Sequence, residues 1–393
     1  MVSLVQQVKA KVNYWLHPFS RDLLTFRSSS QHERGRVLFS YVIDSLTLSD
    51  DHPRFLGHSN AWEAREIARI FLEMGFVVDA IDYRNNTFVP KTKYDIVFDI
   101  SSNLGHLAQY LSPSTLKLLH LTGSDPYFQN AAELARVRSA NERRKTNFKP
   151  RRVIRHPEKE RNSVLIANRC SLLGNSVTLH TFPELIWEKT TPIPVSASPV
   201  RFHDDFNRRA QNDQFLWFFG SGAIHKGLDL VLDVFSANPQ WTLHVIGGVK
   251  EERDFMNAYS REMLELSNIH YHGYLLPNST EFEHVTENVF AFIAPSCSEG
   301  ISPAVVTCIQ AGFYPILSRN TGVDLPIGAG LYLETCTMPR IVDAVRTVSS
   351  LSEAERIGQL ITLTAAARQK YSRAAFSDAM KRYLQSAVED WRL

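Results

Sequence analysis

From residue 36 onward, short runs of consecutive apolar residues alternate with longer stretches carrying an apolar residue every third or fourth position. The runs suit strands buried on both faces, and the periodic stretches suit helices that cover them. RVLFSYVI at 36–43 predicts a strand, WEAREIARIFLEMGF at 62–76 predicts an amphipathic helix closing at Gly75, and FVVDAIDY, YDIVFDI, KLLHLTG and SVLIAN predict further short buried runs. After TTPIPVSASPV at 190–200 the pattern restarts with FLWFFG, TLHVIGG, NIHYHGY and VFAFIAP. Strand and helix in alternation imply an α/β fold with parallel sheets, here two doubly wound Rossmann-like domains. The expected division is an arm and linker at 1–35, a first domain at 36–197, a second at 198–375, and a closing helix at 376–393 that returns to the first.

The arm reads differently. Val5, Val8, Val12, Trp15 and Leu16 fall on one helical stripe, so it either docks on the body or lies on an anionic membrane surface. At 393 residues the chain exceeds one ordinary core, which agrees with two domains. Lys and Arg total 43 against 41 Asp and Glu, a balance that argues against a general nucleic-acid binder. The four cysteines, Cys170, Cys297, Cys308 and Cys336, form no CxxC pair, so neither a zinc cage nor a disulfide framework is signalled. Reduced thiols and the lack of a long apolar run predict a cytoplasmic protein, with peripheral attachment to the inner face of the membrane as the alternative. Eleven Lys or Arg and three Glu between Arg136 and Arg161 make a basic run that is either a solvated face or a patch for anionic headgroups.

Two stretches carry candidate chemistry. In PSCSEGISPAVVTCIQAG, residues 295–312, Ser302 can cap a helix, Pro303 suits its first turn and Gly312 its end. Such a helix start offers N–H groups to an anion, and Glu299 just upstream can accept hydrogen bonds from hydroxyls. In FFGSGAIHKGLDLVLDVF, residues 218–235, Gly220 and Gly222 follow a strand, and Lys226 with Gly227 stands at a helix entrance, where a lysine attracts a diphosphate. Each stretch alone is equally a tight turn of an α/β crossover. Together they gain weight, because doubly wound sheets bind ligands beyond the carboxyl ends of their strands, which would bring Lys226 and Glu299 together. Gly247 with Gly248 ends another strand there, and Gly273 with Tyr274 could border a nucleobase or be simple turn residues.

The order of strand, Gly-rich turn, Lys-Gly, a strand ending Gly-Gly, and Pro-Ser-x-x-Glu-Gly before a helix resembles the donor-binding domain of retaining family 4 glycosyltransferases of the GT-B fold. The resemblance is close over residues 215–320 and only architectural over the first domain. It implies transfer of a sugar from a nucleotide diphosphate sugar to a glycan or lipid-linked acceptor hydroxyl, with retention and with no metal or other cofactor. By that match Lys226 holds the diphosphate, Glu299 binds donor-sugar hydroxyls, and the backbone at Gly300, Ile301 and Ser302 meets the phosphates. His120 matches in position a histidine directed at the reacting sugar, with Asp125 a nearby alternative, and Gly57, His58 and Asn60 occupy an acceptor-side loop where an ordinary helix cap is the other reading.

Two departures stand out. Thr307 replaces a second glutamate that grips the ribose in the family, and Ser221 replaces a basic residue of the phosphate turn. They keep open a nucleotide-sugar-binding protein without transferase activity, and an epimerase of the same fold is a further reading.

Overall fold

The computed structural model describes residues 23–28, 33–52, 55, 59–202 and 205–392. The amphipathic stripe from Val5 to Leu16, and Gly57 and His58, lie outside them.

The first sheet has seven strands in the order β1-β3-β2-β4-β5-β6-β7: β1 (Leu24–Phe26), β2 (Gly35–Tyr41), β3 (Phe76–Asp82), β4 (Ile96–Asp99), β5 (Leu116–Leu121), β6 (Arg169–Leu173) and β7 (Thr190–Ile193). All pairs are parallel except β1 with β3. β1 lies in the segment read as arm and linker, and it covers the edge of β3, with Thr25 donating to Asp79 at 2.7 Å. The buried, uninterrupted apolar character of β2, β3 and β4 follows from helices on both sides of the sheet.

Of the helices, α1 (Ser59–Glu73) follows β2 and α2 (Pro126–Arg144) follows β5. The run SVLIAN is not a strand. Residues Pro157–Ile166 form a helix, started by Pro157 at its first turn, and the strand is the next segment, Arg169–Leu173. A short apolar run has no period of its own, so only the proline upstream separates the two readings.

The second sheet is β10-β9-β8-β11-β12-β13, all parallel: β8 (Gln214–Phe219), β9 (Thr242–Gly247), β10 (Ile269–Gly273), β11 (Val289–Ala294), β12 (Tyr314–Ser318) and β13 (Leu331–Leu333). Three of its helices matter below: α3 (Leu228–Ser236), α4 (Thr280–Thr286) and α5 (Pro303–Gln310). The last helix, α6 (Arg373–Arg392), lies on the first domain, where Ser377 donates to Glu66, Phe376 meets Trp62 edge-on, and Trp391 donates to Ser114 O at 2.9 Å. Among the described residues no helix is long and apolar enough to cross a membrane.

Part of the basic run proves to be a clasp between the domains, while Arg138, Lys145, Lys149, Arg155 and Lys159 stay exposed, as a solvated face would be. Arg143 binds Asp229 at 2.6 Å and Asp233 at 2.5 Å, while Arg144 binds Asp233 and also Glu262 at 2.7 Å. Asp229 and Asp233 are four residues apart on α3, so both carboxylates face the C-terminal turn of α2, whose carbonyl end also favours cations. Arg136 donates to Pro295 O at 3.0 Å, Arg151 pairs with Asp254, and Arg161 is turned inward to Asp125. Cations engaged in this way are withdrawn from any lipid surface.

Candidate functional site

The carboxyl ends of both sheets face a common cleft of about 580 Å³, with walls from both domains. That size is in the range of small-molecule and cofactor sites. The loop after β11 is pressed against the first domain so closely that a side chain at position 300 has no room. A Cβ on Gly300 would stand 2.4 Å from Leu173 O and 2.8 Å from Thr122 O. Hydrogen bonds fix the same seam: Ile301 N donates to Leu173 O at 2.9 Å, Ser124 Oγ to Glu299 O at 2.6 Å, and Ser298 Oγ to Ser124 Oγ at 2.9 Å.

Lys226 and Glu299 form an ion pair on the cleft wall, both almost wholly buried. Gly227, at φ 74°, turns the chain from Lys226 into α3, and the crowded Pro295 leaves no room there for a Cβ. Burial lowers the Lys226 pKa, the Arg152 charge adds to that effect, and Glu299 opposes it. Burial alone would raise the Glu299 pKa, but the charges of Lys226, His225 and Arg152 outweigh it and hold the carboxyl below its usual value. The ammonium also lies 5.1 Å from the centre of the Phe219 ring. At the start of α5, Ser302 has the backbone of a cap, yet its side chain makes no capping bond, contrary to the expectation from sequence. Pro303 occupies the first turn and Gly312, at φ 87°, follows the helix, as the sequence indicated. Ser302, Pro303 and Ala304 line the cleft, so an uncapped helix start faces it.

Of the other residues singled out, Gly220, Ser221, Gly300, Ile301, Tyr274 and Asn60 line the cleft. Gly222, Gly247, Thr307, His120 and Asp125 do not line it. Gly222 N is held by Glu252 at 2.6 Å, and Gly247 is packed against Phe219 O. Thr307 is buried and its hydroxyl accepts from the backbone N–H of Ser198, a residue of the cleft wall, at 3.1 Å. His120 is enclosed in the first-domain core against the Tyr41 and Phe98 rings, with Nδ1 2.8 Å from Ser171 Oγ. Burial pushes it down to about 3, so it stays neutral. Asp125 caps α2 by accepting from Tyr127 N and Phe128 N, and it binds Arg161. A strand-end position in the sequence gives no information on which way these side chains turn.

Of the cleft residues that sequence did not pick out, three bear most on its chemistry. Arg152 lines it from the first domain, with its aliphatic stem against Gly222, which places a cation beside the turn where Ser221 lacks one. Its segment is set by Glu133, which accepts from Arg151 N at 2.9 Å and Arg152 N at 3.2 Å. The other Glu133 oxygen meets His225 Nδ1 at 2.6 Å, and His225 Nε2 meets Ser298 O at 2.6 Å. Cys297 Sγ stands 3.4 Å from the same Nδ1, and the three residues bring ligating atoms within 4.8 Å of one another, but imidazole and carboxylate are already hydrogen-bonded. The chain Glu133–His225–Ser298 thus ties α2 to the residue before Glu299.

Glu63 and Tyr41 are the other two. Both line the cleft with almost no exposure, and Glu63 Oε2 and the Tyr41 hydroxyl lack hydrogen-bond partners. Glu63 Oε1 accepts from Ser196 N and Oγ. Its position was legible, since 63 shares the helical stripe of Ile67, Ile70 and Met74. Burial pushes the Glu63 carboxyl up to about 7 from its ordinary 4.5. Below pH 4.5 folded and unfolded chains both hold this proton. Between 4.5 and 7 only the folded chain does, so stability falls as pH rises, by about 3 kcal/mol in all. Glu63→Gln is expected to lack this fall, so urea midpoints of variant and wild type should diverge between pH 4.5 and 7.5 in favour of the variant. Parallel pH curves would show that Glu63 ionises normally.

Together these features give the chain the GT-B fold: two Rossmann-like domains with the site in the cleft between them. Among solved structures it resembles the sucrose-phosphate synthase of Thermosynechococcus elongatus, with TM-score 0.65 and 13% identity over 91% of this chain and 100% of that one. Anabaena HepE in complex with UDP-glucose gives TM-score 0.56 and 15% identity over 90% and 100%. The UDP-forming α,α-trehalose-phosphate synthase of Burkholderia vietnamiensis gives 0.55 and 10% over 91% and 98%. No protein-family model matches the chain, and no curated protein matches it in sequence.

Proposed function

We propose that this protein is a glycosyltransferase that moves a sugar from a nucleotide diphosphate sugar to an acceptor hydroxyl. The observation that carries this reading is the buried Lys226–Glu299 pair beside an uncapped helix start in a cleft the size of a small-molecule site. A diphosphate entering the cleft offers Lys226 a partner of higher charge than Glu299. Lys226 then binds phosphate, the N-terminus of α5 and Arg152 share the charge, and Glu299 is released to accept hydrogen bonds from the donor sugar. The same three positive groups stabilise the leaving diphosphate as the glycosyl bond breaks, in a site where little water screens them. Retention of configuration and independence of a metal are what the family resemblance implies, and the local positive groups are consistent with charge stabilisation by protein alone.

HepE has been solved with UDP-glucose, which makes UDP-sugars the donors to try first. The test is melting temperature with UDP, UDP-sugars and GDP-sugars, followed by release of nucleotide with and without acceptor. A ligand at about 100 times its Kd adds about 2.7 kcal/mol to stability, a shift of several degrees. Glu299→Ala is expected to retain most nucleotide binding while lowering turnover by about 100-fold or more, the order seen when one transition-state contact is lost. Tight donor binding by wild type with no turnover on any acceptor would replace this reading with a nucleotide-sugar-binding protein. Conversion of the donor sugar with no acceptor present would replace it with an epimerase.

A further inference from the structure

Three imidazoles meet at the outer edge of the second sheet, away from the cleft. His244 lies on β9, and His270 and His272 lie on the edge strand β10. His270 is the register partner of His244, and the ladder is irregular between Tyr271 and Gly273, where His272 turns its ring towards the other two. Ring centres are 5.3 Å apart for His244 with His270, 5.3 Å for His244 with His272, and 6.4 Å for His270 with His272. His244 Nδ1 and His272 Nε2 stand 3.1 Å apart. Two imidazole nitrogens bound to one tetrahedral zinc ion at about 2.0–2.1 Å are about 3.3 Å from each other, so this pair is near ligand spacing.

The surroundings favour a metal ligand. Gln214 Oε1, on β8, lies 3.0 Å from His244 Nε2. The amide oxygen accepts the Nε2 proton, which leaves the lone pair on Nδ1, the atom that faces His272. Metal-binding histidines are commonly oriented in this way, by a carbonyl on the far nitrogen. Glu281, in the first turn of α4, exerts its negative charge on His272. His270 is exposed and the other two rings are half-buried, so an ion can enter from solvent.

We propose that His244, His270 and His272 bind one divalent transition-metal ion of the zinc, cobalt or nickel class at this sheet edge. His244 Nδ1 and His272 Nε2, which share a hydrogen bond, supply the first pair once His272 moves its proton to Nδ1 through solvent, and a rotation of the exposed His270 side chain completes the set. A bound ion would tie β10 to β9 immediately before Gly273 and Tyr274, and so steady the residue that borders the cleft. The proposal does not depend on the glycosyltransferase reading.

The test uses the full-length chain after chelator treatment and dialysis. Titration with Co²⁺ followed by its visible absorption, and with Zn²⁺ by equilibrium dialysis, is expected to give one ion per chain. The double variant His244→Gln/His272→Gln should lose it, and Gln214→Ala should bind about 10–100-fold more weakly, as for loss of an outer hydrogen bond to a ligand. The exposed single change His270→Gln guards against misfolding of the double variant, and it should also weaken binding at unchanged metal-free melting temperature. Cys297→Ser, at the Glu133 and His225 cluster, should bind as wild type. Failure of wild type to bind, binding as tight as wild type in either His270→Gln or the double variant, or loss of the ion in Cys297→Ser would overturn the assignment.

Discussion

Lys226→Met is expected to abolish the rise in melting temperature produced by UDP or a UDP-sugar, because it removes the cation nearest the diphosphate and leaves Glu299 to repel it. The same change strands a buried carboxylate. Losing one partner of a buried pair costs about 3–5 kcal/mol, which could itself disturb binding through misfolding. The double variant Lys226→Met/Glu299→Gln separates the two effects. Without a charge left to strand, it should recover most of the lost stability, and it should still show no nucleotide-dependent shift. Turnover in the single variant should fall by about 100-fold or more, the usual consequence of removing one preorganised charge from a developing anion. A normal UDP shift in the double variant would take Lys226 out of the diphosphate role, whatever the single variant did.

Arg143→Met carries the second large effect, on stability rather than binding. Asp229 is fully buried, one of its oxygens has no hydrogen-bond partner, and Arg143 donates to the other. Burial raises its pKa, and the nearby Arg136 and Arg143 oppose that rise. Without Arg143 the carboxylate keeps only part of its compensation, and the loss should be about 3–5 kcal/mol by urea unfolding. Because the pair joins α2 to α3, the loss should appear as a separation of two transitions, one per domain. Adding Asp229→Asn to Arg143→Met should restore much of the difference, since the stranded charge goes with its partner. A cost below about 1 kcal/mol, the value of an exposed pair, would show that the clasp contributes little to docking.

The alternation of apolar runs and helical stretches made the two sheets legible, because parallel strands buried on both faces leave a continuous apolar imprint. Lys226 and Glu299 were legible as a pair for a topological reason: both follow strands of one sheet, and such loops share an edge. What escaped depended on contacts between distant segments. The arginines near residue 143 look like any solvated run until α3 is seen to present Asp229 and Asp233 opposite them. His120 and Asp125 sit where a strand end would place site residues, but rotamer and packing turn them into the core and the cap of α2. Arg152 was hidden within the basic run, and Glu63 stood as a polar residue on an apolar stripe whose meaning needed the cleft.

The glycine at position 300 limits how this protein can be recombined. Its loop presses on carbonyls of the other half, so residues 198–375 joined to a foreign partner would not rebuild this wall of the cleft by themselves. The second half is incomplete as a module. An exchange that kept it working would need a backbone carbonyl where Leu173 supplies one and a hydroxyl in the place of Ser124. Changes in what the cleft accepts are therefore better sought by altering side chains within the first domain than by exchanging that domain whole.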